Sequence, residues 1–222
     1  MIPHSHLRDA HHIHPAGDVA PSPSPSPSRV AGGDNRVEAV FAPLVHANWH
    51  HYEDELGNTY AIGGRGSLRV AYLAGTTRAW HLDARACSGA PWGGPWSAHF
   101  TSDTPTELVA AVTNALRHDA CHDASAGTEH TDIWQTLRAA RWHLAQPGRA
   151  QRALSPDGLV EIEYPADGAL VPPRDAWRIT TSRPQDLSNP LWTAAFHEAT
   201  PTALLRAFTQ ALTTHRPVTR HS

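Results

Sequence analysis

Four arginine residues form the part of this chain that is best suited to bind a ligand. They are Arg138, Arg141, Arg149 and Arg152. No Asp or Glu lies between residues 133 and 156. Guanidinium groups without acidic neighbours pair readily with phosphate or carboxylate groups. These arginines are therefore the best candidate in the sequence for an anion-binding patch, although an ordinary solvated helix-and-turn surface is the interpretation that we favour.

A second group of residues has the donor atoms, but not the spacing, of a metal site. It consists of His118, Cys121, His122 and His130. The intervals match no standard structural zinc site, and the surrounding polar sequence is typical of a linker. We therefore predict neither a metal nor any other cofactor.

Motifs that carry catalysis or bind nucleotides are missing from the sequence. The glycine-rich segment at residues 63–66 lies between two predicted strands, so we interpret it as a hairpin turn and not as a phosphate-binding loop. No Gly-x-Ser-x-Gly motif occurs, and neither Cys87 nor Cys121 lies in the pattern of a nucleophile. We predict no catalytic residues and hence a protein that is not an enzyme.

Composition limits the class of protein further. The chain has 222 residues and a net charge of −3, with 40% hydrophobic and 18% charged residues, which suffices for a folded core. No apolar run is long enough to cross a bilayer, and the N-terminus has no apolar signal segment, so we expect a cytoplasmic protein that does not bind membranes. Two cysteines cannot form a disulfide framework.

Composition also divides the chain. Alternating proline and serine at residues 21–28 cannot form a helix or pair as a strand. The histidines before this tract could bind transition metals opportunistically, although a solvated tail is our interpretation. The predicted organisation is a disordered tail at 1–36, a first folded unit at 37–119, a linker at 120–131, a second unit at 132–215 and a disordered tail at 216–222.

An internal repeat is the most informative feature of the sequence. Trp96, Phe100, Thr104, Pro105 and Leu108 recur, 96 positions later in each case, as Trp192, Phe196, Thr200, Pro201 and Leu204. Upstream matches have slightly different offsets, as insertions in loops allow. The two units are therefore copies of one fold.

Each copy has the same predicted elements. A short helix (Ala42 to Asn48; Asp132 to Arg141) precedes several strands with apolar residues at every second position. A longer amphipathic helix follows, and Thr104 and Thr200 are its predicted N-caps. We predict an α+β fold of two tandem repeats. Each repeat would be a short helix, an antiparallel meander sheet and a C-terminal helix packed on one face of the sheet, and the repeats would pack with pseudo-two-fold symmetry.

Six of the eight tryptophans form matched pairs between the copies: Trp49 with Trp142, Trp80 with Trp177, and Trp96 with Trp192. The strand tryptophans share a face with Leu, Ile and Val, so core packing is favoured over a stacking platform for bases. Trp92 and Trp134 lack a matching tryptophan and complete the candidate binding patch, because an exposed tryptophan is a common binding anchor.

The second copy resembles a known family. Ser155-Pro156-Asp157, a strand that ends at Tyr164, Ala176-Trp177 and the segment from Pro190 to Pro201 resemble the SPDY domain, domain of unknown function 317. This domain is found mainly in actinobacteria and often in two copies. In the first copy the segment from Pro95 to Leu116 fits, whereas the Ser-Pro-Asp motif is missing. The resemblance implies no activity.

These observations together predict a binding or interaction protein with an unknown protein partner. The alternative is a protein that binds single-stranded DNA through the arginine patch of the second repeat. This alternative rests on a similarity in outline to the PUR and Whirly single-strand binders, which also repeat a sheet and a helix.

Overall fold

The computed structural model of the chain describes residues 34–63, 66–85, 95–117, 130–145, 150–165, 175–183 and 186–214. Trp92, Arg149, Cys87, Cys121, His118 and His122 lie outside the described residues. So do the proline-serine tract, nearly all of the predicted linker and the C-terminal tail.

The described elements occur in the same order in the two halves of the chain. The first half contains α1 (Asp34–His46), β1 (His50–Glu53), β2 (Thr59–Gly63), β3 (Leu68–Tyr72), β4 (Trp80–Ala84), β5 (Trp96–Phe100) and α2 (Thr106–Arg117). The second half contains α3 (Thr131–Ala139), β6 (His143–Ala145), β7 (Ala150–Leu154), β8 (Val160–Pro165), β9 (Asp175–Arg183), β10 (Asp186–His197) and α4 (Thr202–Thr214).

All ten strands form one antiparallel sheet. Each half is a meander, and the two meanders join through their last strands, in the order β1-β2-β3-β4-β5-β10-β9-β8-β7-β6. At this junction β10 pairs with β5, with Ala195 opposite His99 and with Ala194 opposite Phe100. The α+β class and the meander sheet are therefore confirmed.

One face of the sheet builds the hydrophobic core. Its alternating residues are buried in both halves, as the period of two predicts: Trp80, Leu82, Trp96, Ala98, Phe100, Trp177, Ile179, Trp192, Ala194 and Phe196. Trp142 is buried as well, and Trp49 packs partly buried against the same cluster. The prediction that the matched tryptophans pack in the core is confirmed.

The four helices cover this apolar face. Helix α2 packs against α1 and α4, and α3 packs against α4. Phe208 of α4 contacts the rings of both Phe100 and Phe196, so the helix layer closes over the junction of the two meanders. No helix in the described part of the chain is long and apolar enough to span a membrane.

The position of the first helix differs from the prediction. The first helix begins at Asp34 and not at Ala42, so it includes the last three residues of the predicted tail. Pro43 lies near its end, although a proline commonly opens a helix. The hydroxyls of the predicted N-caps donate across the junction, Thr104 to the carbonyl of Thr193 (3.4 Å) and Thr200 to that of Ser97 (3.2 Å).

Candidate functional site

The sheet face opposite the four helices carries most of the polar strand residues, and we call it the open face. Its side chains alternate with the buried core residues: Tyr52, Tyr60, Arg69, His81, Asp83, His99, Arg152, Leu154, Glu161, Glu163, Arg178, Thr180, Thr193 and Ala195. None of the helices in the described residues lies on this face. Its chemistry is therefore available to a ligand in this part of the chain.

Strand register places several functional groups in one row across the middle of the open face. Glu163 pairs with Arg178, which lies opposite Ala195 on β10. Ala195 in turn lies opposite His99, whose neighbour on β4 is His81. Adjacent strands are about 4.8 Å apart, so groups that are distant in sequence become close neighbours.

A groove of about 400 Å³ lies on the open face at the junction of the two halves. Polar side chains line it: Arg78, His99, Thr101, Arg178, Thr180 and Thr193. Ala195 also lines the groove, and its short side chain leaves space between Arg178 and His99. The volume lies within the range of small-molecule binding sites.

The two arginines of the groove form no ion pair with any described residue, and one comes from each half of the chain. Both Arg78 and Arg178 are exposed. Glu163 lies beside Arg178 in the sheet, but its carboxylate accepts a hydrogen bond from Arg152 at 2.9 Å. The guanidinium group of Arg178 therefore keeps its hydrogen-bonding capacity for another partner.

Ion pairs neutralise the other charges of the open face. Arg69 binds Asp83 at 2.7 Å, and Arg152 binds both Glu163 at 2.9 Å and Glu161 at 3.6 Å. The hydrogen bond to Glu163 raises the pKa of the Arg152 guanidinium. Among the described residues around the groove, the guanidinium groups of Arg78, Arg152 and Arg178 outnumber the two carboxylates of Glu161 and Glu163, so this part of the surface is net positive.

The two histidines beside the groove contact each other directly. Nδ1 of His99 lies 3.0 Å from Nδ1 of His81, and Nε2 of His81 lies 2.7 Å from the carbonyl oxygen of Arg78. Because that carbonyl only accepts, Nε2 of His81 carries a proton, and in a neutral His81 Nδ1 is an acceptor. His99 then donates a hydrogen bond from its own Nδ1 to Nδ1 of His81. This hydrogen bond fixes the orientation of the His99 ring where it lines the groove.

Both halves of the chain match one known domain family. A model of SPDY, a domain of unknown function (DUF317), matches residues 65–121 and again residues 154–218. The two segments cover more than half of the sequence. The chain belongs to the SPDY family. The resemblance seen in the sequence is thus confirmed in both halves, whereas no curated protein and no solved structure matches the chain.

The motif that gives the SPDY family its name is present here as Ser-Pro-Asp, with Gly158 in place of the final tyrosine, and it forms a turn. Ser155, Pro156 and Asp157 connect β7 to β8, and Ser155 is buried. The Ser155 hydroxyl donates to the Asp157 carboxylate at 2.6 Å and accepts from the backbone N–H of Val160 at 2.9 Å. In this structure the motif shapes a hairpin.

The arginines predicted from the SPDY sequence lie on both sides of the sheet. Arg138 and Arg141 are exposed in and after α3, which is on the helix side. Arg152 lies on the open face and is held by two carboxylates. The structure therefore does not bring these three residues together, and the grouping with Arg149 and Trp92 stays a prediction.

Trp134 packs into the core side of the SPDY chain. Its ring stacks on Trp177 at 5.3 Å and is half-buried. In the first half Phe41 of α1 packs on Trp80 in the same way, at 6.1 Å. The offset of 93 that relates Leu44 to Leu137 also relates Phe41 to Trp134. The repeat in the sequence could therefore have shown that Trp134 packs in the core.

His130 is the one residue of the considered metal set that falls among the described residues. Its ring contacts Tyr164 and Trp177 edge-on, at 5.0 and 4.9 Å, and its buried Nδ1 has no hydrogen bond to any described residue. Burial lowers the pKa of His130. Across the described part of the chain, no three His, Cys, Asp or Glu side chains converge in a geometry that would hold a metal ion.

The sequence prediction missed the groove at the junction. The alternation of apolar residues is sufficient to place Arg178 and His99 on the polar face of their strands, whereas Arg78 carries no signal in the sequence. Strand periodicity gives the face of each residue and not its neighbour across strands. The pairing of β5 with β10 was the missing information.

Proposed function

We propose that this SPDY protein is a non-enzymatic, cytoplasmic binding module that recognises its partner through the open face. Its two SPDY copies would pack as an internal dimer about a pseudo-two-fold axis. The pairing of Ala195 with His99 supports this arrangement. A two-fold axis through this pair relates the neighbouring pair of Ala194 and Phe100 to the pair of Ala98 and Phe196. The observation that carries the proposal is the groove at this junction, with its two exposed arginines and no ion pair to any described residue.

The chemistry of the groove supports binding over catalysis. Its guanidinium groups stay protonated at physiological pH and do not serve as general acids or bases. The imidazole of His99 also lines the groove, and its Nδ1 is engaged by His81. The threonine hydroxyls supply hydrogen bonds. We therefore assign no catalytic residue, and a protein partner remains our leading expectation.

A second candidate partner is single-stranded nucleic acid. The open face carries the stacked rings of Tyr52 and Tyr60, 5.0 Å apart, in addition to the arginines of the groove. Aromatic rings on an exposed sheet and free cations are the two features that single-strand binding surfaces combine. The nucleic acid would then bind the open face, and not the arginine patch that the sequence predicts in the second repeat.

Site-specific photo-crosslinking in the native cell tests the proposal. A photoreactive amino acid replaces Thr180 or Leu154 on the open face, and Gln210, which is exposed on α4, is the matched control. We expect crosslinked products from the two open-face positions only. Protease and nuclease digestion of the products then separates a protein partner from a nucleic acid. Crosslinks from the control position alone, or from none of the three, would contradict the proposal.

A further inference from the structure

We propose that the groove at the junction of the two halves is a phosphate-binding site. This inference rests on the proposed function, because it assigns a ligand class to the same open face. Arg78 and Arg178 would pair with the phosphate oxygens. The shared chemistry is a phosphate group, carried either by a small molecule or by the backbone of a single-stranded nucleic acid.

The two arginines supply the charge for a phosphate. Each guanidinium presents several N–H donors in a planar fork that matches two phosphate oxygens. Neither donates to a carboxylate among the described residues, and the two line the same groove from opposite halves. A ligand that bridges them would therefore contact both SPDY copies at once.

Hydroxyl groups supply neutral donors beside the charges. Thr180 and Thr193 line the groove, and their hydroxyls bond to no other group of the described residues. Hydroxyl donors next to a guanidinium are common partners of the remaining oxygens of a bound phosphate. Thr101 is held differently, since its hydroxyl accepts from the backbone N–H of Thr193 at 3.0 Å.

The shape of the groove depends on a difference between the two halves. The repeat offset of 96 places Ala195 where the first half has His99. An imidazole at both positions would fill the space between Arg178 and β5. Because residue 195 is alanine, the groove stays open on one side and is bordered by His99 on the other.

The local carboxylates are already engaged. Glu161 and Glu163 are the acidic residues nearest to Arg178 along β8, and both bind Arg152. Asp83 binds Arg69 on the other side of the histidine pair. An incoming anion therefore meets two unpaired cations and no unpaired carboxylate among these residues.

Binding by the full chain tests the inference directly. The probes are inorganic phosphate, followed by NMR of the arginine side chains, and a labelled oligothymidylate, followed by fluorescence anisotropy at low salt. The variants are Arg78→Gln, Arg178→Gln and their combination. The matched control is Arg138→Gln, since Arg138 is an exposed arginine on the helix side of the sheet.

We expect each groove variant to weaken binding by about tenfold, the double variant by more, and the control variant to bind like the native chain. Phosphate binding without oligonucleotide binding would support the site and point to a small phosphorylated ligand. Binding of both probes with the same variant pattern would support the site and point to a nucleic acid backbone.

Two results would overturn the inference. One is that neither probe binds the native chain at low salt. The other is binding that the groove variants and the Arg138→Gln control weaken equally. Both results would leave the proposed function intact, since photo-crosslinking from Thr180 and Leu154 reports on the open face without reference to phosphate.

Discussion

At the scale of single residues, His130 is a histidine that packs against the core, although its side chain is of a type that binds metals. It lies one residue before α3 and packs against Tyr164 and Trp177. The offset of 93 places it at the position of Val37 in the first half, and Val37 also packs partly buried against the core. The site is therefore apolar, and a charged imidazole is unfavourable there.

This burial predicts a pH dependence of stability. Because burial lowers the pKa of His130 in the folded protein, the unfolded chain takes up the proton first as the pH falls. As the pH is lowered past the unfolded pKa of about 6.5, the free energy of unfolding should decrease, and it should go on decreasing until the pH reaches the folded pKa. Above about pH 6.5 this residue should have no effect on the pH dependence. His130→Phe should remove this component, which is no more than about 1.4 kcal/mol per pH unit.

Urea unfolding at about pH 7.5 and about pH 5.5 measures the effect. The control is His143→Gln, which changes an exposed histidine on β6 and should keep the pH dependence of the native chain. If the free energy of unfolding of the His130→Phe variant decreases between the two pH values as much as that of the native protein, the lowered pKa of His130 does not contribute to the pH dependence of stability.

At the scale of elements, the turn between β7 and β8 depends on one buried hydroxyl. Ser155 holds both the Asp157 carboxylate and the N–H of Val160. Asp157 in turn accepts from the N–H of Leu159 at 3.1 Å. Gly158 has φ of +74°, a conformation that glycine adopts without strain.

Ser155→Ala should therefore lower the free energy of unfolding by about 1–3 kcal/mol, because the buried N–H of Val160 loses its acceptor. Thermal or urea unfolding gives the value. Ser102→Ala, at an exposed serine in the turn before α2, should change the stability by less than about 0.5 kcal/mol. Equal effects of the two substitutions would show that the hydroxyl of Ser155 does not hold the turn.

At the scale of the whole molecule, the two halves depend on each other. Strands β5 and β10 pair, the ring of Phe100 meets that of Phe196 at 5.3 Å, and α2 packs on α4. The hydroxyls of Thr104 and Thr200 donate to carbonyls of the opposite half. A half on its own would expose an unpaired strand edge and the apolar face beside it.

We therefore expect residues 1–123 and 124–222, expressed as separate chains, to be insoluble or unfolded alone and to copurify as a folded complex when coexpressed. Size-exclusion chromatography and circular dichroism measure this. Phe196→Glu should abolish the complex, whereas Leu154→Glu, on the open face, should leave it intact. Two halves that are each stable and monomeric would show that the junction is not needed for folding.

The sequence by itself determined the local structure and the direction of each side chain. Helices α2 and α4, the buried faces of β3, β4, β5, β8, β9 and β10, and the matched tryptophans follow from periodicity and from the repeat. These features depend on interactions within a few residues along the chain, or on burial that alternates from one residue to the next. The predicted start of α1 was wrong, since the helix begins at Asp34 and not at Ala42.

Only the tertiary structure decided which polar residues meet. The pairing of β10 with β9 places Arg178 on one side of Ala195, and the pairing of β10 with β5 places His99 on the other. Arg78 reaches the same groove from the loop before β4. The register of paired strands depends on core packing between the two halves, and not on any local pattern around these residues. Within the second half, the packing of α3 on one face of the sheet places Trp134 on Trp177 and separates Arg138 from Arg152.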